Sequence, residues 1–171
     1  MSPHVVIEKV TASDDSLLAK IRELFLEYSQ SLDVDLCFQN FDRELQELPG
    51  DYAEPKGVLL LALMDGKPAG CGALRALKSV AHSNTAEMKR LYVRPEFRGN
   101  AIGKKIVLEI IQAAKNKGYN AIVLDTLNSM TDARTLYASM GFVEIAPYYD
   151  NPLEGTQYLR LDLSTFRQPH Q

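Results

Sequence analysis

Between Arg98 and Lys105 the chain reads Arg98-Gly99-Asn100-Ala101-Ile102-Gly103-Lys104-Lys105, two glycines among three basic side chains. Gly99 and Gly103 carry no Cβ, so the backbone there can turn sharply and admit another molecule closely. From Ile102 onward apolar residues recur at Ile106, Val107, Ile110, Ile111 and Ala114, the spacing of one helix face. The first N–H groups of a helix have no partner inside it and carry partial positive charge from the macrodipole. A glycine-bearing loop that presents them is a seat for a phosphate or pyrophosphate. Residues Arg98, Gly99, Asn100, Ala101, Ile102, Gly103 and Lys104 therefore read as a diphosphate site. The run is not the P-loop of nucleotide hydrolases, because Arg98 stands where that pattern needs its first glycine and Lys105 where it needs Ser or Thr. The dinucleotide fingerprint G-x-G-x-x-G is absent as well.

The residues before this turn, Glu87 to Val93, read as a strand that must stop before Pro95, which cannot donate to a sheet ladder. Alternation puts Glu87, Lys89, Leu91 and Val93 on one face and Met88, Arg90 and Tyr92 on the other. Charge on both faces of a central strand is costly unless it is paired, solvated or used. Glu87 is thus either a salt-bridge partner or a working carboxylate. Arg75, which interrupts the preceding strand, has two readings: a structural ion pair, or a guanidinium that forks onto a substrate carboxylate. On spacing alone Tyr137 is a core aromatic whose hydroxyl needs a partner.

The run Arg98 to Gly103 resembles the acyl-CoA pyrophosphate loop of the GNAT N-acetyltransferase superfamily, with Ala101 where that loop carries its first glycine. A second block, Ala133-Arg134-Thr135-Leu136-Tyr137-Ala138-Ser139-Met140-Gly141-Phe142, is similar to the family's late helix and the strand after it. The two blocks stand in the expected order, about one βαβ unit apart. The resemblance implies acetyl-CoA as acyl donor, a primary amine as acceptor and no metal. It implies that backbone groups of Leu91, Tyr92 and Val93 bond the pantetheine arm where the strand splays from its neighbour. It places Tyr137 near the CoA sulfur as general acid, and Glu87, six residues before Val93, at the general-base position of several members. It sets Tyr148 and Tyr149 in a loop beside the acceptor pocket, with packing onto the sheet as the rival reading. Many relatives carry Asn three residues before the helix alanine; Met130 stands there, and Asn128 is off register.

The elements that must hold these groups follow in order. Val5–Val10 reads as a strand, and Ser13 as the N-cap of a helix with its apolar stripe at Leu17, Leu18, Ile21, Leu24, Phe25 and Tyr28. Within 32–56, Leu36, Phe38, Phe41, Leu45 and Leu48 suit one short helix ended by Pro49-Gly50. In the superfamily this region often covers the acceptor site. Val58–Met64 is an apolar run suited to a strand buried on both faces, and Asp65-Gly66-Lys67-Pro68 turns it back into Ala69–Leu77. The helix from Ile102 ends at Lys115 to Gly118, Tyr119–Leu127 is a strand, and Ser129 caps a helix that Gly141 closes. Phe142–Ala146 and Gln157–Leu163 are the last strands, and 164–171 is a polar tail expected to fray. This order is that of an α/β (α+β) GNAT fold: a mixed, mostly antiparallel central sheet of about seven strands flanked by about four helices, in one domain over 1–171.

A formal charge of −3 does not suggest a nucleic-acid binder by bulk attraction, and no nucleic-acid partner is expected. Cys37 and Cys71 form no metal or redox spacing, which fits a reducing compartment. The chain has no apolar run of membrane-spanning length and no signal pattern, so a cytoplasmic location without membrane attachment is expected. The acceptor is expected to be a small-molecule amine. A protein lysine or N-terminus, or a non-catalytic acyl-CoA-binding module, is the alternative, and a homodimer is the form many relatives adopt.

Overall fold

The structure, a computed structural model, describes residues 2–32, 36 and 40–168. Its frame is a seven-stranded sheet of β1 (Val5–Lys9), β2 (Val58–Met64), β3 (Lys67–Ala76), β4 (Thr85–Val93), β5 (Ala121–Thr126), β6 (Val143–Ile145) and β7 (Gln157–Asp162). The spatial order is β1-β2-β3-β4-β5-β7-β6. All neighbours run antiparallel except β4 and β5, which are parallel. Four helices cover the two faces: α1 (Asp15–Ser31), α2 (Phe41–Glu47), α3 (Ile102–Asn116) and α4 (Thr131–Met140).

The alternation of β2 explains the layering. Leu59 and Leu61 pack with Ile21, Leu24 and Phe25 of α1 and with Phe41 of α2. Val58, Leu60 and Ala62 pack on the other face with Ile106, Val107 and Ile110 of α3 and with Tyr137 and Met140 of α4. The sheet is thus buried on both sides, as the continuous apolar run required. A Cβ at Gly72 of β3 would lie 2.6 Å from Ile106 Cγ2, so glycine is what lets α3 seat this closely on the sheet.

Several sequence expectations shift. The expected caps Ser13 and Ser129 are replaced by Asp14 and Met130, neither of which makes a side-chain cap bond. Asp14 instead accepts from the Thr11 N–H and hydroxyl, closing the turn before α1. Met130 sulfur accepts from the Leu127 N–H at 3.4 Å. The short helix of the 32–56 region begins at Phe41; Phe38 and Cys37 lie outside the described residues. The tail is held further than its polarity suggested, because Phe166 is buried in the α3 core and Lys115 Nζ lies 5.9 Å from its ring.

The largest departure is in β4. Cys71 stands opposite Tyr92 and Ala73 opposite Lys89, so Arg90 and Leu91 together face Gly72 alone. Arg90 takes φ +61°, the conformation of a β-bulge, and its carbonyl accepts from Cys71 Sγ at 3.3 Å. The bulge resets the alternation. Arg90 and Tyr92 turn to the α1–α2 face with Lys89, while Leu91 and Val93 join Met88 on the α3 face.

Candidate active site

β4 and β5 pair only through Thr85–Ala121, Ala86–Ile122 and Glu87–Val123. Beyond that point β4 stays with β3 as far as Val93, and β5 stays with β7 as far as Thr126. Two parallel strands held by different outer neighbours must part, and the expected splay is present. It opens a narrow cleft between the two strands. Met88 to Leu91 form one wall and Asp125 to Leu127 the other. Tyr28, Leu32 and Leu36 close it from the α1 side, Leu153 from the loop before β7, and Met130 and Tyr137 from α4.

Tyr137 therefore stands in the cleft, 5% exposed, with its ring 5.5 Å from that of Phe142. Burial first, and then the nearby Tyr28 and Asp125, push its phenol well above the ordinary tyrosine range, so it keeps its proton at neutral pH.

Glu87 is 1% exposed and lies just before the strands part, outside the cleft wall. Oε1 accepts from Arg75 Nε and Nη2 at 2.9 and 2.8 Å, and Oε2 from the Tyr148 hydroxyl at 2.6 Å. Burial raises its pKa, but the charges of Lys89 and Arg75 and these hydrogen bonds outweigh it and hold the carboxyl below its usual range. Arg75 is thus engaged with Glu87, while Asp51 stands 4.0 Å from its other amino group.

Tyr148 and Tyr149 both pack on Tyr158 of β7, at 5.3 and 5.7 Å between ring centroids. Each also donates to a site carboxylate: Tyr148 to Glu87, and Tyr149 to Asp125 Oδ2 at 2.6 Å. Asn151 Nδ2 donates to the same Asp125 oxygen at 3.4 Å. The tyrosine pair packs on the sheet and orients site carboxylates at once.

Lys89, Asp125 and Tyr28 were not among the expected site residues. Lys89 is 8% exposed, and burial lowers the pKa of its ammonium against the opposing charge of Glu87. Beside it Arg90 forks onto Glu44 of α2 at 2.8 and 3.0 Å and lies 5.1 Å from the Phe41 ring centroid. The signal for Asp125 was present in sequence: it is the one acidic residue in the apolar run from Tyr119 to Leu127.

The glycine loop lies past the end of β4. Arg94 binds Glu27 and Glu23 of α1 at 2.6 and 2.9 Å and fixes that end to the helix layer. A 3-10 turn over Pro95–Phe97 follows, then Arg98, whose Nε donates to the Val93 carbonyl at 3.1 Å. Asn100 Nδ2 donates to the Phe97 carbonyl at 2.9 Å. Gly99 takes φ +87°, and a Cβ there would meet no atom within 4 Å, so the loop's outer side is open. The first backbone bond of α3 runs from Lys105 N to Ala101 O, which leaves the N–H groups of Ile102, Gly103 and Lys104 without acceptors inside the helix. These donors and the basic side chains fit a diphosphate.

Ala101 adopts φ +59°, a left-handed conformation that costs an L-residue about 1–2 kcal/mol. Ala101→Gly is expected to stabilise the protein by about 0.5–1 kcal/mol after allowing for the freer unfolded chain. The check is a urea midpoint that rises at constant slope; a fall would contradict the strain argument.

Among the described residues no group of three or more His, Cys, Asp or Glu side chains is placed to hold a metal ion. No helix among them is long and apolar enough to cross a membrane.

The family model for acetyltransferases (GNAT) matches residues 18–142. An uncharacterised N-acetyltransferase of Schizosaccharomyces pombe is 42% identical over 148 residues, 86% of this chain and 89% of that protein. An N-acetylaspartate synthetase of Mus musculus is 31% identical over 122 residues, 70% of this chain and 40% of that protein. The crystal structure of PaiA N-acetyltransferase from Thermoplasma acidophilum in complex with coenzyme A superposes with a TM-score of 0.66 at 20% identity, covering 93% of this chain and 99% of that one.

Proposed function

The chain belongs to the acetyltransferase (GNAT) family and is an acyltransferase, and from that premise we propose that it transfers the acetyl group of acetyl-CoA directly to a primary amine of a small molecule. The observation that carries the reading is the cleft between the diverging β4 and β5, with Tyr137 in its wall and the Arg98–Gly103 loop beyond the end of β4. In this reading the loop donors and Arg98 and Lys104 hold the diphosphate, and the backbone of Leu91, Tyr92 and Val93 guides the pantetheine arm. All of residues 1–171 form one transferase domain. Support for that extent comes from Phe166, which packs on the same core as the family-matched α3.

The chemistry needs a neutral amine, because an alkyl ammonium of pKa about 10.4 has no lone pair to attack with. Glu87 is a poor direct base: both its oxygens are occupied and its proton affinity is low. We therefore route the amine proton to water in the cleft beside Asp125, with Glu87 holding Arg75 and Tyr148 in place. As the nitrogen–carbon bond forms, the carbon–sulfur bond breaks, the departing thiolate takes the proton of Tyr137, and the proton shed by the acylated nitrogen returns through water to the phenolate.

Closure of the cleft by Leu32, Leu36 and Leu153 favours a small acceptor over a protein side chain. The named activity of the Mus musculus relative supports a small acceptor as well.

The test is thermal stability during acetyl-CoA titration. Ligand at a hundred times its Kd contributes about 2.7 kcal/mol, which for a chain of this size raises Tm by roughly 5–10 °C. Gly99→Glu puts a carboxylate in the loop and is expected to abolish the ligand-induced rise, whatever it does to the unliganded Tm. No rise with the unaltered protein at millimolar acetyl-CoA would end the reading.

A further inference from the structure

Among the described residues that line the cleft, Asp125 is the one acid. It lies opposite Tyr158 of β7 and beyond the last pairing of β5 with β4. Ile122 and Leu124 pack on the α3 face, so alternation turns Asp125 to the opposite face. The loop before β7 fixes one of its oxygens: the Tyr149 hydroxyl donates to Oδ2 at 2.6 Å and Asn151 Nδ2 at 3.4 Å. Asn151 Nδ2 also donates to the Tyr149 hydroxyl at 2.9 Å, and Asn151 Oδ1 accepts from the Leu153 N–H at 2.9 Å. Burial first, and then the charge of Asp125, push the Tyr149 phenol well above the ordinary tyrosine range, so it remains a donor. Asp125 Oδ1 receives no hydrogen bond from a described residue.

The ionisable groups around this carboxylate come from several elements. Tyr28 of α1 and Tyr137 of α4 line the cleft with it, Tyr148 and Tyr149 approach from the loop, and Tyr158 stands across the β7 ladder. Lys89 of β4 faces both Asp125 and Glu87. A carboxylate oxygen with open lone pairs takes its strongest hydrogen bond from a charged N–H donor. An alkylamine in neutral water is such a donor, because its ammonium has a pKa of about 10.4. We infer that Asp125 docks the acceptor, which enters as an ammonium ion and donates to Oδ1, with Tyr149 and Asn151 as positioning residues. This rests on the acetyl transfer proposed above and assigns the acceptor's first contact.

The docked ammonium loses one proton to water, and the neutral nitrogen attacks the thioester carbon. The carbon–sulfur bond breaks, and the thiolate takes the Tyr137 proton. The second proton shed by the nitrogen returns through water to the phenolate. The products are an acetamide, CoA thiol and the one proton given to solvent.

The experiment offers isoamylamine, phenethylamine, putrescine and the proteinogenic amino acids with acetyl-CoA and reads CoA thiol release. The best acceptor is followed between about pH 6.5 and 8.5, where such amines are mostly ammonium. Docking as the ammonium gives the amine a KM that is flat over this range, while kcat climbs by up to about tenfold per pH unit because deprotonation follows binding. Asp125→Asn keeps the side chain's shape and is expected to raise that KM by about 30-fold, the worth of a hydrogen bond to a charged group. The neutral amine is then the form that binds, so in the variant KM falls by about tenfold per pH unit. The KM of acetyl-CoA should stay within about threefold. Tyr149→Phe releases Oδ2 and is expected to raise the KM of the amine about fivefold, with kcat within about twofold and KM still flat with pH.

A KM that falls with pH in the unaltered protein would overturn the inference, and so would an amine KM that Asp125→Asn leaves unchanged. A protein that binds acetyl-CoA yet acetylates none of these amines overturns it as well. Should Asp125→Asn fail to fold, the pH dependence of KM in the unaltered protein decides, together with the KM-against-kcat split of Tyr149→Phe. No rise in Tm with acetyl-CoA is a different result, which removes acetyl transfer itself and this inference with it.

Discussion

Tyr137→Phe is expected to lower kcat by about a hundredfold or more, the usual worth of a positioned general acid, while the acetyl-CoA-induced rise in Tm stays within a degree or two. The substitution removes one oxygen and leaves the ring, which packs on Phe142 at 5.5 Å within the α3–α4 core. Cleft shape is therefore retained, and a drop in rate reports the proton. The buried phenol sits well above its ordinary pKa, which at first makes it a reluctant donor to a thiolate. Burial acts on both partners, however: a thiolate leaving in the same cleft is also desolvated, and its proton affinity rises with that of the phenol. The transfer is then close to balanced, where general acid catalysis is most effective. A second consequence follows for pH. Because the phenol stays protonated throughout the neutral range, Tyr137 sets no limb of the rate profile between pH 6 and about 10, the ordinary tyrosine pKa. Full kcat in Tyr137→Phe would mean that water supplies the proton and that Tyr137 is a packing residue alone.

The sequence carried the loop and the late helix because both depend on local features. Glycines at 99 and 103, basic flanks and a 3.6-residue apolar period are readable without any partner. The order of elements was legible for the same reason, since Val58–Met64 and Ile102–Ala114 announce their own burial. Strict alternation failed at Arg90, because a bulge is set by how β4 registers against β3, and the residue that takes φ +61° is not a glycine. That one displacement decides which charges meet in the cleft. The caps at Ser13 and Ser129 were misplaced by one residue, and in each case a neighbour's side chain, Asp14 or Met130, closes the preceding turn instead. For Arg75 the bland reading has a partner in the structure, the Glu87 carboxylate. Pairing between distant strands and helices, rather than residue type, separated the legible part from the rest.

The bulge also concentrates risk, and Glu44→Ala is the substitution that exposes it. Arg90 is 2% exposed at its side chain and Glu44 13%, so the pair is effectively inside the protein. Removing the carboxylate takes away the bidentate partner of the buried guanidinium, a loss of about 3–5 kcal/mol for a buried pair broken on one side. Proton loss offers no escape: burial lowers the Arg90 pKa, but the Glu44 hydrogen bond and charge have it raised overall, and an arginine without them still titrates far above neutral. The Phe41 ring 5.1 Å away supplies only part of the missing charge. A fall in Tm of about 10 °C or more follows for a chain of this length. Glu47→Ala on the same helix is the internal control, because its partner Arg43 is 76% exposed and such solvated surface pairs contribute little to stability. If the two substitutions cost the same, Arg90 has found water or another anion, and α2 is not what holds the bulge. If Glu44→Ala costs several times more, the α2 carboxylate is what keeps Arg90 compensated in the cleft wall.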